Sequence, residues 1–130
     1  MEHLDIYRCS ICGNIVQILN SGAGELVCCG QPMGKLVPNI SEEAMTEKHV
    51  PIFIGIDENT EEIRVGEVLH PMIDTHYIMF IEAFNDDKSE MHLKFLKPND
   101  EPKLMLCKDK YNKSIEYCNI HGLWEGSNND

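Results

Sequence analysis

Four cysteines crowd the start of the chain. Cys9 and Cys12 form a Cys-x-x-Cys pair, and Cys28 and Cys29 stand side by side. The segment that carries them, residues 1–37, holds few large hydrophobes. Units below about 40 residues rarely fold without a metal, disulfides or a partner. The thiols meet that need, and the free energy of binding an ion becomes free energy of folding. The turn after Cys9 presents both sulfurs of the first pair to one ion, and Gly13 lets the backbone bend there. Neighbouring residues on a strand point to opposite faces, so Cys28 and Cys29 can share an ion only across a kink. Gly30 and Pro32 can supply it, and the expected result is a strained tetrahedron. Four thiolates suit a structural zinc or a single iron that carries one electron. Ligand softness leaves the two open.

Composition narrows the remaining classes. The formal charge is −11, from 22 acidic and 11 basic side chains. A nucleic-acid binder carries a basic patch, so that class is excluded, as is docking on an anionic membrane. The start Met1-Glu2-His3-Leu4-Asp5 lacks the basic and apolar regions of a signal peptide, and no apolar run approaches the roughly 18 residues that span a bilayer. The expected location is the cytoplasm, where thiols stay reduced and cysteines serve as metal ligands rather than disulfides.

Residues 38–48 read as a polar, acidic linker, with one helical turn capped by Ser41. Beyond it the pattern is β throughout. Strands are expected at 15–19, 51–56, 63–69, 77–84, 91–96, 103–106 and 114–117, separated by turns such as 20–24, 57–61 and 85–89. The 77–84 segment is apolar on both faces apart from Glu82 and reads as central. Met91, Leu93 and Phe95 alternate on one face. Residues 126–130 read as a polar tail. Short strands with turns every 8–12 residues indicate a sandwich or barrel.

The second constellation is built from histidines. Cys118 and His121 stand three residues apart, at metal-ligand spacing. His49, His70 and His76 each lie beside an apolar, strand-like segment. His70 ends one strand and His76 begins the next, so a short loop can bring both rings to one rim. Four imidazoles and one thiolate make five donors. Zinc prefers four in a closed site, whereas five donors with one open position suit a redox-active iron. A thiolate opposite that position pushes electron density toward whatever binds there, as in thiolate-ligated haem. His3 reads as a tail residue, His92 as a surface imidazole and Cys107 as a buried free thiol.

These residues resemble the desulfoferrodoxin family of two-iron superoxide reductases. The resemblance rests on Cys9-x-x-Cys12 with Cys28-Cys29, Glu47-Lys48-His49-Val50-Pro51, His70-Pro71-Met72, His76-Tyr77 and Cys118-Asn119-x-His121-Gly122, in that order along nearly the whole chain. It implies a mainly β protein: a small rubredoxin/desulforedoxin-like domain over 1–37, then an immunoglobulin-like β-sandwich over 38–130. It further implies two iron ions per chain, with His49, His70, His76 and His121 equatorial and Cys118 axial on the catalytic one. Superoxide is the implied substrate, reduced to hydrogen peroxide in the oxidative-stress defence of an anaerobe or microaerophile. A rubredoxin or a reductase is the implied electron donor, and a homodimer the implied assembly. Residues 73–75 and 79–80 depart from the family pattern, which bears on loop shape rather than on the donor set.

Superoxide is an anion and the chain is acidic, so local charge must decide. Distant charges are screened beyond about 8 Å at physiological salt. A lysine at about 5 Å with an effective dielectric of about 20 is worth roughly 3 kcal/mol. Lys48, beside His49, is the candidate to attract the substrate, and Glu47 is the candidate to occupy the sixth position of the oxidised iron. Two other readings remain open at this point: an electron-transfer protein with no superoxide activity, and a zinc-stabilised interaction module.

Overall fold

The computed structural model describes residues 1–40, 49–66 and 70–128. The linker turn expected at Ser41, together with Glu47 and Lys48, lies outside the described residues. The chain divides into two compact units, Met1–Val37 and Pro38–Asp130. Both are β, and no helix among the described residues is long and apolar enough to cross a membrane.

The smaller unit contains β1 (Ile6–Arg8), β2 (Ile15–Gln17), β3 (Val27–Cys28), β4 (Gln31–Pro32) and β5 (Gly34–Lys35). β1 lies between β2 and β5, and β3 pairs with β4. The buried apolar side chains here are Leu4, Ile6, Ile18 and the Cys9 thiol. Fully burying such a chain is worth about 1.5–3 kcal/mol. Three aliphatic side chains do not offset the entropy of ordering the unit.

The larger unit contains β6 (Pro51–Gly55), β7 (Thr60–Val65), β8 (Ile78–Phe84), β9 (Met91–Phe95), β10 (Lys103–Cys107), β11 (Lys113–Cys118) and β12 (Gly122–Ser127). They form a three-stranded sheet, β10-β7-β6, and a four-stranded sheet, β12-β11-β8-β9. Every ladder is antiparallel. Ile63, Val65, Leu104 and Leu106 of the first sheet join Ile78, Ile81, Ala83 and Cys118 of the second in one buried cluster. β8 is central, between β11 and β9, and its 0 % exposed Ile81 and Ala83 explain its apolar run.

Some expectations need correction. β7 begins at Thr60 rather than at residue 63 and runs to Val65, with a turn at Gly66; the expected stretch 67–69 lies outside the described residues. Met91, Leu93 and Phe95 do share a face, paired with Phe84, Glu82 and Phe80. Leu93 and Phe95 are nonetheless exposed, because β9 is an edge strand and the core ends there. The tail expected from residue 126 is partly a strand, since β12 pairs with β11 as far as Ser127 opposite Lys113. Gly126 belongs in that strand for a steric reason. A Cβ there would clash with Pro51 O and stand 3.2 Å from Val50 Cγ1. Gly126→Ala is expected to destabilise the larger unit by about 1–3 kcal/mol, the cost of overpacking, read as a lowered denaturant midpoint. An unchanged midpoint would contradict that close approach.

Candidate metal centres

Antiparallel pairing gathers the histidines and Cys118 at one end of the larger unit. Pro51 opposite Val65 brings the start of β6 to the end of β7. Cys118 faces both Ile78 and Gly122, which brings the end of β11 to the starts of β8 and β12. His49 and His70 flank the first junction; His76, Cys118 and His121 flank the second. Alternate strand ends thus deliver one donor each, and ligand atoms of all five lie within 4.8 Å of one another.

The four rings form a square. Neighbouring centroids are 4.6 Å apart for His49–His70, 4.6 Å for His70–His76, 5.1 Å for His76–His121 and 4.7 Å for His121–His49. The diagonal His49–His76 is 6.5 Å, close to the edge multiplied by the square root of two. His49 Nε2 stands 3.0 Å from both His70 Nε2 and His121 Nδ1. Two nitrogens at right angles around an ion, each about 2.1 Å from it, stand about 3.0 Å apart.

Tautomers support the same reading. His70 Nδ1 donates to Pro71 O at 2.7 Å, which leaves its Nε2 lone pair aimed at His49. A metal-binding His commonly donates its second ring N–H to a carbonyl in this way. The residues present therefore fit a metal ion. The Cys118 sulfur is fully buried, lies 3.9 Å from His121 Nδ1 and accepts the His121 backbone N–H at 3.4 Å. His49 and His70 are buried, while His76 and His121 are half-buried.

Three supporting residues were not singled out from sequence. Trp124 stacks on His49 at 4.9 Å and donates its Nε1–H to His121 O at 3.1 Å. Met72 Sδ accepts the Ile78 N–H at 3.3 Å. Asn119 bonds to both neighbours of His76. Trp124 is the chain's one tryptophan, and Asn119 lies inside the Cys-x-x-His spacing; those were the available signals. The atypical residues 73–75 form a tight turn closed by two bonds between Ile73 and His76, at 3.0 and 3.1 Å.

In the smaller unit the ligand atoms of Cys9, Cys12, Cys28 and Cys29 also lie within 4.8 Å of one another. Cys12 and Cys28 sulfurs are 3.5 Å apart, and Cys28 and Cys29 sulfurs 4.0 Å. Around a tetrahedral ion with bonds of about 2.3 Å, sulfurs stand about 3.8 Å apart. The required kink is present, and it falls on the second cysteine itself: Cys29 takes φ 53 and Gly30 φ 76. A non-glycine residue there is strained, which the shared sulfur geometry compensates.

The thiols do not ionise alike. The Cys12 backbone N–H lowers the Cys9 thiol from 9.0 to about 6. Hydrogen bonding to the Cys12 side chain raises Cys28, and raises Cys29 to about 12. By linkage, the Cys9 thiolate stabilises the folded unit fully above pH 9.0 and ceases to do so as pH falls through about 6. Four adjacent negative sulfurs require a cation, so binding at neutral pH must displace protons from Cys28 and Cys29. Titration with zinc or ferrous iron in buffers of different ionisation enthalpy should show that release, with affinity falling on acidification. A pH-independent affinity would contradict it.

The remaining candidates separate cleanly. Cys107, expected to be buried, is exposed, because it ends β10 at the edge of its sheet. His92 is exposed on β9. His3 is held to Leu19 O at 2.7 Å rather than loose. Glu47 and Lys48 are outside the described residues.

Two family models cover the chain: the desulfoferrodoxin N-terminal domain over residues 1–36 and desulfoferrodoxin over 41–127. The chain is 46% identical to the desulfoferrodoxin of Desulfarculus baarsii over 98% of both chains. It is 44% identical to a desulfoferrodoxin homolog of Archaeoglobus fulgidus, over 95% of this chain and 97% of that one. The fold is similar to that of a solved protein from Treponema pallidum, a superoxide reductase, with a TM-score of 0.74, 21% identity, and coverage of 96% and 98% of the two chains. By sequence over nearly its full length, the chain belongs to the desulfoferrodoxin family.

Proposed function

We propose that the protein is a superoxide reductase. One observation carries the reading: four histidines in a square and one buried cysteine converge on one point, with ligand atoms of all five within 4.8 Å of one another. His49, His70, His76, His121 and Cys118 would hold an iron ion, which when bound would supply the one electron that, with two protons, converts superoxide to hydrogen peroxide without forming dioxygen. Cys118, whose sulfur accepts the His121 N–H, would add a soft, electron-rich donor to the set. Buried Trp124, stacked on His49, shields that side of the cluster from water. The solved superoxide reductase of Treponema pallidum shares the fold.

Lys48 and Glu47 precede the buried His49 in sequence. Lys48 would supply local positive charge that draws the anion against the chain's overall −11, and Glu47 would be a further donor to the oxidised iron. The four-thiolate cluster holds a second iron. The larger unit is an immunoglobulin-like sandwich, its two sheets sharing one core. The working protein is a cytoplasmic homodimer that draws electrons from a rubredoxin or a reductase.

Mixing the reduced protein with superoxide should oxidise the histidine-bound iron and yield peroxide. Dioxygen in place of peroxide, or no iron oxidation, would sink the reading. Lys48→Ala should keep the iron spectrum and lower the second-order rate by about tenfold or more at low salt; an unchanged rate removes Lys48 from the mechanism. Glu47→Ala should alter the ferric spectrum with little loss of rate, and an identical spectrum counts against that role.

A further inference from the structure

The ladder between β11 and β8 slips next to the cluster: Tyr117 faces Phe80, yet Cys118 faces Ile78. One residue further on, Asn119 continues the ladder by unusual means. Its backbone N–H donates to Tyr77 O at 3.2 Å. The returning bond, from Tyr77 N–H, goes to the Asn119 side-chain Oδ1 at 2.9 Å instead of to a main-chain carbonyl. The same amide's Nδ2 donates to Thr75 O at 3.2 Å. The side chain stands in for a peptide group, so the backbone after Asn119 is released to turn toward His121.

The two residues it grips, Thr75 and Tyr77, bracket His76. The Ile73–His76 turn closes on itself, and Asn119 joins that turn to the strand end that carries Cys118. We infer that Asn119 is a positioning residue that locks His76 onto the Cys118–His121 turn and thereby completes the square of imidazoles; this rests on the iron reading of the cluster. The chemistry selects asparagine. Aspartate keeps the acceptor for Tyr77 N–H but loses the donor, and sets a negative oxygen against Thr75 O. Alanine loses both bonds. The side-chain bonds are exposed and so add little to global stability. Their consequence lies in where the His76 ring sits.

A double-mutant cycle on the full chain separates positioning from stability. The readout is ferrous-iron affinity of the histidine–cysteine cluster, measured by anaerobic chelator competition and by the cluster's own charge-transfer band after reoxidation. Asn119→Ala should weaken that affinity about 10- to 100-fold, the usual cost of removing a group that orients a ligand. In a His76→Ala background the same change should cost less than about threefold, because the ring it positions is gone. Asn119→Asp, which keeps the Tyr77 bond, should show the same dependence on His76. Equal losses in both backgrounds, or no loss in either, overturn the proposal. Failure of both Asn119 variants to give a cooperative thermal transition also overturns it, since the role would then be structural. A wild-type cluster that takes up no iron overturns the iron reading itself, and this proposal with it.

Discussion

Antiparallel register is the constraint on which the larger unit's chemistry depends. The junctions β6–β7, β8–β11 and β11–β12 all fall at one end. Residues just outside those strand ends are therefore neighbours in space, although His49 and His121 are 72 residues apart in sequence. The core behind them is largely aliphatic and buried. A packed interior resists deformation, so the donors are held by the sheets rather than assembled by the ion.

The smaller unit solves the opposite problem. It has almost no core, and its order depends on sulfur. The kink at Cys29 is a locally strained backbone that a four-fold thiolate site can hold in place. Raised thiols at Cys28 and Cys29 beside a lowered Cys9 describe a pocket waiting for positive charge. The two clusters thus differ in kind: one is a site placed on a stable scaffold, the other is a site that makes its own scaffold.

Much of this was legible in the residues because metal donors are few and chemically distinct. Cysteine pairs and spaced histidines announce themselves in a short acidic chain, and the apolar run of β8 announces a central strand. What stayed hidden depends on neighbours. β12 contains two glycines and a tryptophan and reads poorly as a strand, yet Gly126 is required by the approach of Pro51. Phe95 has strand periodicity but no partner sheet over it, so it stays exposed. Cys107, at a strand end with no histidine near it in sequence, read as a buried thiol; alternation along β10 instead turns it outward. Asn119 read as a turn residue because its role lies in bonds to residues 75 and 77, far away in sequence.

The central claim is that five side chains from separate strand ends share one ion. An anomalous-difference map of the iron-loaded protein, collected at the iron absorption edge, tests it most directly. The account predicts a peak enclosed by His49, His70, His76 and His121 nitrogens at about 2.1 Å, with the Cys118 sulfur completing the set, and a second peak among the four N-terminal sulfurs. A map with no peak at the histidine square, or with an ion there held by fewer of these side chains, would contradict it.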